Sequence, residues 1–155
     1  MAKIIELLCR KKNVKIKMSY EQDSLRNAKF YGDVTKYQQV LVNVLSNAGK
    51  FNPPNTQVDV QISCTTIKQS RHDQGFTSLL SVIVKDQGPG IAKTEQSRLF
   101  KPFAQIKHPV SGFLEPKNGA GIGLYASKVI CEKLGGDICC FSEGEDSGAV
   151  FEFRI

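Results

Sequence analysis

The strongest constraint on the fold is an amphipathic segment at residues 33–51. Its apolar residues recur in steps of three and four, at Val34, Tyr37, Leu41, Val44, Leu45 and Ala48. This period is typical of a helix with one apolar face. Pro53 and Pro54 follow the segment and cannot continue such a helix. Because the apolar face must be buried against another layer, the rest of the chain has to supply a sheet or further helices.

Segments in which apolar and polar residues alternate supply that layer, because a period of two predicts strands. The predicted strands are a half-buried one through Val14, Ile16 and Met18, a short one at residues 30–31, two at residues 58–62 and 80–84, and two closing ones at residues 137–141 and 149–155. The polar stretch at residues 68–75 joins the middle two strands as a long hairpin or an antiparallel pair.

Shorter helices are predicted on both sides of a long irregular stretch. One covers residues 94–100 with Thr94 as its cap, and the other covers residues 121–134 and ends at the glycine pair that follows. Together the elements predict an α/β (α+β) fold. This fold is a two-layer sandwich in which a mixed, mostly antiparallel sheet carries helices on one face.

Length and composition fit one soluble globular domain. Of the 155 residues, 41% are hydrophobic and 23% are charged, which is unlike a disordered chain. No apolar run approaches the roughly 20 residues of a membrane helix, and the charged N-terminus is not a secretory signal. We therefore expect a cytoplasmic domain without direct membrane contact, although a larger parent protein could be anchored in a membrane.

Charge and cysteine content argue against a nucleic-acid site and a zinc site. The net charge is +6, but the basic residues are spread along the chain and no aromatic-rich strand motif lies beside them. The five cysteines include no CxxC pair and no His-Cys cluster with zinc spacing. We expect five reduced thiols, with the adjacent Cys139 and Cys140 on opposite faces of a strand.

Three polar residues share one face of the 33–51 helix. Asn43, Asn47 and Lys50 are four and three residues apart, which places them side by side. Amide oxygens are ligands for a hard cation, and an ammonium group binds phosphate. A solvated polar face is the alternative, and for this segment alone it is the better interpretation.

A second candidate is the turn Asp-Gln-Gly-Pro-Gly-Ile at residues 86–91, which directly follows a predicted strand. The Asp86 carboxylate can accept a hydrogen bond from an exocyclic amine, and the glycines let the backbone approach a flat ring closely. A plain strand-to-helix turn has the same pattern. It is the better interpretation of this segment by itself.

Two further segments flank the long loop at residues 101–119. The sequence Leu-Phe-Lys-Pro-Phe at residues 99–103 forms an apolar plug at its start, and glycines alternate at residues 119–123, where a helix begins. Exposed amides and the helix dipole make such a start a phosphate site. No parallel βαβ unit precedes these glycines and no Gly-Lys-Ser/Thr follows them, which excludes a dinucleotide-binding fingerprint and a Walker loop.

The order and spacing of these segments are more specific than any one of them. "QQVLVNVLSNAGKF" resembles the N box of histidine protein kinases, "DQGPGI" the first glycine box, "LFKPF" the F box and "GAGIGL" the second glycine box. These kinases are one branch of the Bergerat-fold superfamily, which also contains gyrase, heat-shock chaperone and mismatch-repair ATPases. The closing segment "LGGDICCFSEGEDSGAVFEFRI" is similar to the last strands of the family, so the resemblance covers about residues 14–155.

The resemblance implies that the chain binds ATP and Mg²⁺. It implies that Asp86 binds the adenine amine, that Asn47 ligates Mg²⁺ with Asn43 close by, and that Lys50 reaches the phosphates. The other implied nucleotide contacts are Gly88, Gly90, Ile91, Phe103, Gln105, Lys117, Gly119, Gly121, Ile122, Gly123 and Leu124.

Residues 101–118 resemble the ATP lid of the family, in which Lys107 is a further candidate for phosphate contact. Gly49 and Lys101 depart from the family pattern, and neither belongs to the implied ligand set. We expect residues 13–155 to form the ATP-binding catalytic domain. Residues 1–12 then form either a short helix or the remnant of an upstream helix or linker.

Asn43 favours one branch of the superfamily. The ATPases that activate water, and the serine kinases, have a glutamate at this position as general base, and asparagine cannot accept a proton at neutral pH. We therefore expect slow hydrolysis and transfer of the γ-phosphoryl group to a histidine in two-component signalling. A nucleotide-binding module without kinase activity and a hydrolytic ATPase are the alternatives.

The acceptor histidine of the family lies on an upstream helical dimerisation domain. The chain has only His72 and His108, and neither has the sequence context of the acceptor. The expected partners are therefore the histidine-bearing domain and, indirectly, the receiver domain of a response regulator. Nucleic acid is not expected as a partner.

Overall fold

A computed structural model of the chain describes residues 10–29, 32–68, 76–106 and 120–155. The described residues form the strands β1 (Lys15–Tyr20), β2 (Gln57–Lys68), β3 (Phe76–Lys85), β4 (Asp137–Phe141) and β5 (Val150–Arg154). They also form the helices α1 (Val34–Phe51), α2 (Lys93–Gln96) and α3 (Gly123–Lys133), and a 3-10 helix at Asp23–Asn27. Among the helices of these residues, none has the length and apolar character needed to cross a membrane.

The strands form one sheet in the order β1-β2-β3-β5-β4. β1 runs parallel to β2, with Ile16 beside Val58, whereas the other neighbouring pairs are antiparallel. Parallel neighbours need a crossover connection, and α1 lies in the chain between β1 and β2. The predicted mixed, mostly antiparallel sheet is therefore confirmed.

The hydrophobic core lies between the sheet and the helices α1 and α3. The side chains without exposed surface include Val40, Val44 and Ala48 from α1, Cys131 from α3, and Val82 and Phe153 from the sheet. Buried and more exposed residues alternate along β5, as expected for a sheet that is covered on one face. Each fully buried valine stabilises the fold by about 1.5–3 kcal/mol, so the apolar stripe of the 33–51 segment is a major source of stability.

The first strand exists, but its predicted half-burial is wrong. Val14 is buried just before β1, whereas Ile16 and Met18 are 39% and 53% exposed. The reason is the position of β1 at the edge of the sheet, where the strand has only one neighbour. Alternation in the sequence predicts the strand and does not reveal its place in the sheet.

Two helix boundaries also differ from the prediction. α2 is shorter than residues 94–100, and its N-cap is Ala92, not Thr94, with no side-chain hydrogen bond to the cap. The chain continues in tight turns, because Arg98 N–H and Leu99 N–H donate to carbonyl oxygens three residues back. α3 begins at Gly123, since Gly121 has a φ of +67° and cannot belong to a right-handed helix. The predicted end of α3 before the glycine pair at residues 135–136 is confirmed.

Several predictions lie wholly or largely outside the described residues. These are the short strand at residues 30–31, most of the N-terminal helix, most of the long loop, and both histidines. The 3-10 helix at Asp23–Asn27 was not predicted. The four cysteines that the structure describes are free, with Cys139 exposed and Cys140 half-buried.

Candidate nucleotide-binding site

The Asp86 carboxylate is the most buried acidic group of the candidate site. It follows β3, is 7% exposed, and its Oδ1 atom accepts hydrogen bonds from the N–H groups of Gly88 and Ala149, each at 2.9 Å. Burial raises the pKa of this carboxyl above its ordinary value of 3.8, and the two amide bonds act in the opposite direction. Both of these bonds end on Oδ1, so Oδ2 is the atom that can accept a hydrogen bond from a ligand amine.

Glycine is required where the turn after Asp86 meets the β4–β5 hairpin. Gly90 has a φ of +71°, and a Cβ atom there would lie 1.9 Å from the carbonyl oxygen of Gly144. Gly148 has a φ of +69°, and its Cβ would lie 2.3 Å from the carbonyl oxygen of Asp86. The hairpin can therefore approach the turn closely enough for Ala149 to bond Asp86 only because both residues lack side chains.

Ser142 ties the same hairpin to the end of the turn. Ser142 is 2% exposed. Its hydroxyl accepts a hydrogen bond from Ile91 N–H at 3.0 Å and donates one to the Gly148 carbonyl oxygen at 2.7 Å. The Gln96 side-chain amide donates to the carbonyl oxygens of Ile91 and Ser142 at 2.8 and 2.7 Å. The backbone of the 86–91 turn is thus fixed by hydrogen bonds before any ligand binds.

Asn43 connects the polar face of α1 to the first turn of α3. Its side-chain amide nitrogen donates to the Gly123 carbonyl and to the Ser127 hydroxyl, both at 3.1 Å. Its amide oxygen would lie 3.5 Å from a Cβ atom at Gly123, so the Asn43 side chain packs directly against this glycine. Asn43 is therefore engaged within the protein and holds the two helices together.

Asn47 and Lys50 lie further along the same helix face and are half-buried. The residues that the structure describes form no hydrogen bond with the Asn47 side chain, in contrast to Asn43. The Lys50 ammonium lies 4.9 Å from the centroid of the Phe51 ring. No group of three or more His, Cys, Asp or Glu side chains among the described residues could hold a metal ion. A metal here would therefore depend on amide oxygen, water and ligand oxygens.

The start of α3 presents backbone amides to solvent. Its N-cap, Ile122, makes no side-chain capping bond and is 43% exposed. The first N–H groups of a helix have no partner within the helix, and they carry its partial positive charge. Leu124, by contrast, packs against the core. The helix start can accept an anion without displacing a cap.

The two described ends of the predicted lid lie together. A Cβ atom at Gly121 would lie 2.6 Å from the Ala104 carbonyl oxygen, so the chain leaves and returns at one place. Phe103, at a φ of +60°, is 72% exposed beside this point, and Gln105 is also exposed. The predicted phosphate contacts Lys107, Lys117 and Gly119 lie outside the described residues.

All four sequence segments meet around α1. The amide oxygen of Asn52, just after α1, accepts from Gln87 N–H at 2.8 Å and so joins the helix to the Asp86 turn. Asn43 joins the same helix to α3, and Gly121 meets Ala104 after the F box. The carboxylate, the amide-bearing helix face and the two glycine segments therefore border a common region.

Four residues that fix this arrangement were not among the candidates from the sequence: Asn52, Ser127, Ser142 and Gly148. The serines and Asn52 carry no local signal, because each acts through a partner distant in the sequence. Gly148 follows a turn-like Asp-Ser pair before the last strand. Of these four residues, it is the one that a local sequence pattern could have indicated.

Comparisons with known proteins identify the family and the fold of the chain. The model of the family "Histidine kinase-, DNA gyrase B-, and HSP90-like ATPase" matches residues 32–155. The aerobic respiration control sensor protein ArcB of Escherichia coli is 35% identical over 123 residues, which are 79% of this chain and 14% of ArcB. Histidine protein kinase 1 of Candida albicans is 36% identical over 124 residues, 80% of this chain and 5% of that protein.

A solved structure has the same fold. The catalytic domain of histidine kinase ThkA superposes with a TM-score of 0.67 at 25% identity, covering 98% of this chain and 86% of that one. The chain spans only a small fraction of the two longer relatives, and it matches the isolated catalytic domain over most of its length. By its sequence and its fold, the chain belongs to the family of histidine kinase-, DNA gyrase B- and HSP90-like ATPases.

Proposed function

We propose that residues 13–155 form a catalytic domain that binds Mg-ATP and donates the γ-phosphoryl group to a histidine on a separate dimerisation domain. One observation carries the proposal. A single helix, α1, is bonded to the Asp86 turn through Asn52 and to the start of α3 through Asn43. The proposed adenine acceptor and the proposed anion site are thereby joined by one helix, which carries Asn47 and Lys50 between these two connections.

The Asp86 carboxylate is the proposed adenine contact. With Oδ1 engaged by two backbone amides, Oδ2 is proposed to accept a hydrogen bond from the exocyclic amine of adenine. Gly88 and Gly90 are proposed to shape the floor of the adenine site. Guanine has a carbonyl oxygen where adenine has this amine, and it would face a carboxylate without a donor. The site therefore favours adenine nucleotides.

The phosphates are assigned to the other end. Backbone amides of Gly119, Gly121, Ile122 and Gly123 in the second glycine box are the proposed donors, and Lys50 supplies positive charge. Asn47 is the proposed protein ligand for Mg²⁺, which prefers oxygen ligands and usually retains water and phosphate oxygens. When bound, Mg²⁺ would neutralise charge on the phosphate oxygens. Gln105, Lys117 and the exposed Phe103 are proposed to contact the nucleotide from the lid side.

The chemistry at Asn43 supports transfer over hydrolysis. The Asn43 amide donates to α3 and has no basic atom that could take a proton from water. Phosphoryl transfer depends mainly on positioning and charge neutralisation, which a bound acceptor and the helix amides provide. The hydrolytic alternative would need a general base at this position, and neither Asn43 nor its partners Gly123 and Ser127 supply one.

The acceptor is proposed to be supplied in trans. Relatives of the chain are sensor proteins and histidine kinases that are many times longer. We propose the histidine-bearing dimerisation domain of the parent protein as the direct partner and a response-regulator receiver domain as the indirect one. Incubation of this chain with radiolabelled ATP and the parent dimerisation domain should yield an acid-labile phosphohistidine on that domain.

The decisive binding experiment compares the wild type with Asp86→Asn by isothermal titration calorimetry with Mg-ATP. Loss of a buried charged acceptor should weaken binding by about 10- to 100-fold. Asp137→Asn is the matched control, because Asp137 is exposed and begins β4, next to Arg154. Equal affinities of the Asp86→Asn variant and the wild type would exclude Asp86 as the adenine acceptor.

A further inference from the structure

Asn52 is one of the few fully buried polar residues in the part of the chain that the structure describes. It follows α1 as its C-cap residue, is 1% exposed, and its backbone N–H donates to the Ala48 carbonyl at 3.0 Å. Buried side-chain amides are expensive to leave unpaired, so their partners define where they must lie. All the partners of the Asn52 side chain lie outside α1.

The Asn52 side chain closes a ring of hydrogen bonds between three segments. Its amide oxygen accepts from Gln87 N–H at 2.8 Å, and its amide nitrogen donates to the Gln57 carbonyl at 3.1 Å. Gln57 N–H lies 3.4 Å from the Gln87 side-chain oxygen and completes the ring. The end of α1, the start of β2 and the turn after β3 are thus held in one register.

The Gln87 N–H group lies between Asp86 and Gly88, one of the two residues whose N–H groups bond the Asp86 carboxylate. Gln87 directly follows Asp86 and directly precedes Gly88, whose N–H bonds Oδ1. The turn also packs against the helix end, because a Cβ atom at Gly88 would lie 3.2 Å from the Phe51 carbonyl oxygen. A shift at Gln87 would therefore rotate the carboxylate relative to α1.

We propose that Asn52 is a positioning residue for nucleotide binding, whose amide oxygen sets the Asp86 turn relative to Asn47 and Lys50 on α1. This inference rests on the proposed function and adds a residue outside the four sequence boxes. Asn52 touches no nucleotide in this arrangement. It determines instead whether one nucleotide can reach the adenine acceptor and the metal ligand at the same time.

Only an amide supplies both an acceptor for Gln87 and a donor for Gln57 from one planar group. Asn52→Leu has a similar size and removes both functions. Asn52→Asp keeps the acceptor for Gln87 N–H and loses the donor. Thr56→Val is the matched control, because it removes the 2.9 Å bond from the Asn52 amide nitrogen to the Thr56 hydroxyl and leaves the Gln87 bond intact.

The experiment titrates each variant with Mg-ATP and Mg-ADP and measures its unfolding in urea. Asn52→Leu should weaken ATP and ADP by the same factor, about tenfold, because both nucleotides share the adenine contact. Asn52→Asp should stay within about threefold of the wild type, and Thr56→Val should bind as the wild type does even if both are less stable. Lys50→Ala, by contrast, should change the ratio of ATP to ADP affinity.

A folded Asn52→Leu that binds both nucleotides like the wild type would overturn the inference. If that variant does not fold, Asn52→Asp decides: retained affinity at reduced stability supports the positioning role, and loss of affinity refutes it. A wild-type chain that fails to bind Mg-ATP would instead refute the proposed function, and the inference with it.

Discussion

The proposed adenine end of the site, around Asp86, is held by hydrogen bonds within the protein, whereas at the proposed phosphate end no side-chain cap bond is formed at the α3 N-cap among the described residues. At the adenine end, Asp86 Oδ1 and the Ser142 hydroxyl each accept from backbone N–H groups of separate segments. At the phosphate end, α3 begins at an exposed Ile122 with no capping bond.

This difference teaches how the binding energy is divided. A preformed acceptor loses little conformational freedom when the ligand binds. The adenine contact should therefore raise the affinity for every adenine nucleotide by a similar factor. Uncapped amides gain their hydrogen bonds only when an anion arrives, so the phosphate end responds to the number of phosphates. ATP and ADP should therefore be distinguished at the start of α3 and not at Asp86.

The largest expected effect comes from breaking the close approach at the adenine end. Gly148→Ala places a Cβ atom 2.3 Å from the Asp86 carbonyl oxygen at a φ of +69°. Backbone strain and overpacking together should lower the free energy of unfolding by about 2–5 kcal/mol, and Mg-ATP binding should be lost. Urea unfolding and calorimetry measure both changes.

Gly135→Ala is the control for this substitution. Gly135 also has a positive φ, of +81°, but a Cβ atom there would meet nothing within 4 Å. Its cost should be limited to backbone strain of about 1–2 kcal/mol, with unchanged ATP affinity. Equal effects of the two substitutions on ATP binding would show that the hairpin does not need to approach Asp86.

Substitutions of the two asparagines of α1 should affect different properties, one the stability of the fold and the other metal binding. Asn43→Ala removes two hydrogen bonds to α3 and should lower the free energy of unfolding by about 1–3 kcal/mol. Asn47→Ala should leave stability within about 0.5 kcal/mol of the wild type and abolish the Mg²⁺ dependence of ATP affinity. The measurements are urea unfolding and ATP titration with Mg²⁺ or a chelator.

The opposite pattern would break this assignment. If Asn43→Ala abolished nucleotide binding while Asn47→Ala did not, Asn47 would not be the metal ligand. The contrast between an engaged amide and an available one would then have no functional meaning.

The parts of the fold that local patterns encode were predictable. The stripe of α1 and the alternation in β2 and β3 are repeated along each segment, so their element types follow from the sequence. The parallel pairing of β1 with β2, and the exposure of Ile16 and Met18 that goes with the edge position, depend on which strands become neighbours. Alternation contains no information on neighbours.

The site divides in the same way. Residues inside the boxes were predicted as site residues because the order of the boxes along the chain is specific. Asn52 and Ser142 were missed, since their partners Gln87 and Ile91 are 35 and 51 residues away. Contacts of this kind are fixed by tertiary structure and cannot be predicted from an isolated asparagine or serine in the sequence.

A change of pH should move stability and affinity in opposite directions at the adenine end. The raised pKa of Asp86 means that its protonated form is favoured by folding, so its stabilising contribution is fully present below 3.8 and is lost as pH rises through the higher pKa of the folded state. Adenine binding needs the ionised acceptor and should strengthen over the same range. Urea unfolding and ATP titration at a series of pH values measure the two trends.

Asp86→Asn is the reference in this series, because asparagine does not titrate. The unfolding free energy of the wild type should fall relative to that of the variant as pH rises above 3.8, and should then level off. A difference that grows with pH in the opposite sense would mean that the folded protein stabilises the charged form of Asp86. The adenine end would then resemble an ordinary ion-pairing site.

The smallest expected effect concerns Lys12. Its ammonium contacts Asn52, which in turn bonds the Asp86 turn through Gln87. Its ammonium donates to the carbonyl oxygens of Lys50 and Asn52, the latter at 3.2 Å, where the partial negative charge of the α1 C-terminus lies. Lys12→Met should therefore lower the free energy of unfolding by about 0.5–1 kcal/mol, with ATP affinity within about twofold of the wild type. Lys11→Met is the control, because Lys11 is the exposed neighbour.

Lys12→Met and Asn52→Leu together distinguish which group positions the Asp86 turn. Lys12 holds backbone carbonyls at the end of the helix, whereas the Asn52 amide reaches across to Gln87. If Lys12→Met weakened ATP binding as strongly as Asn52→Leu, the helix terminus as a whole would set the turn, and the Asn52 amide would have no separate function. If Lys12→Met changed only stability, the position of the Asp86 turn would depend on the hydrogen-bond ring around Asn52. The bonds from Lys12 to the end of α1 would then not be needed for nucleotide binding.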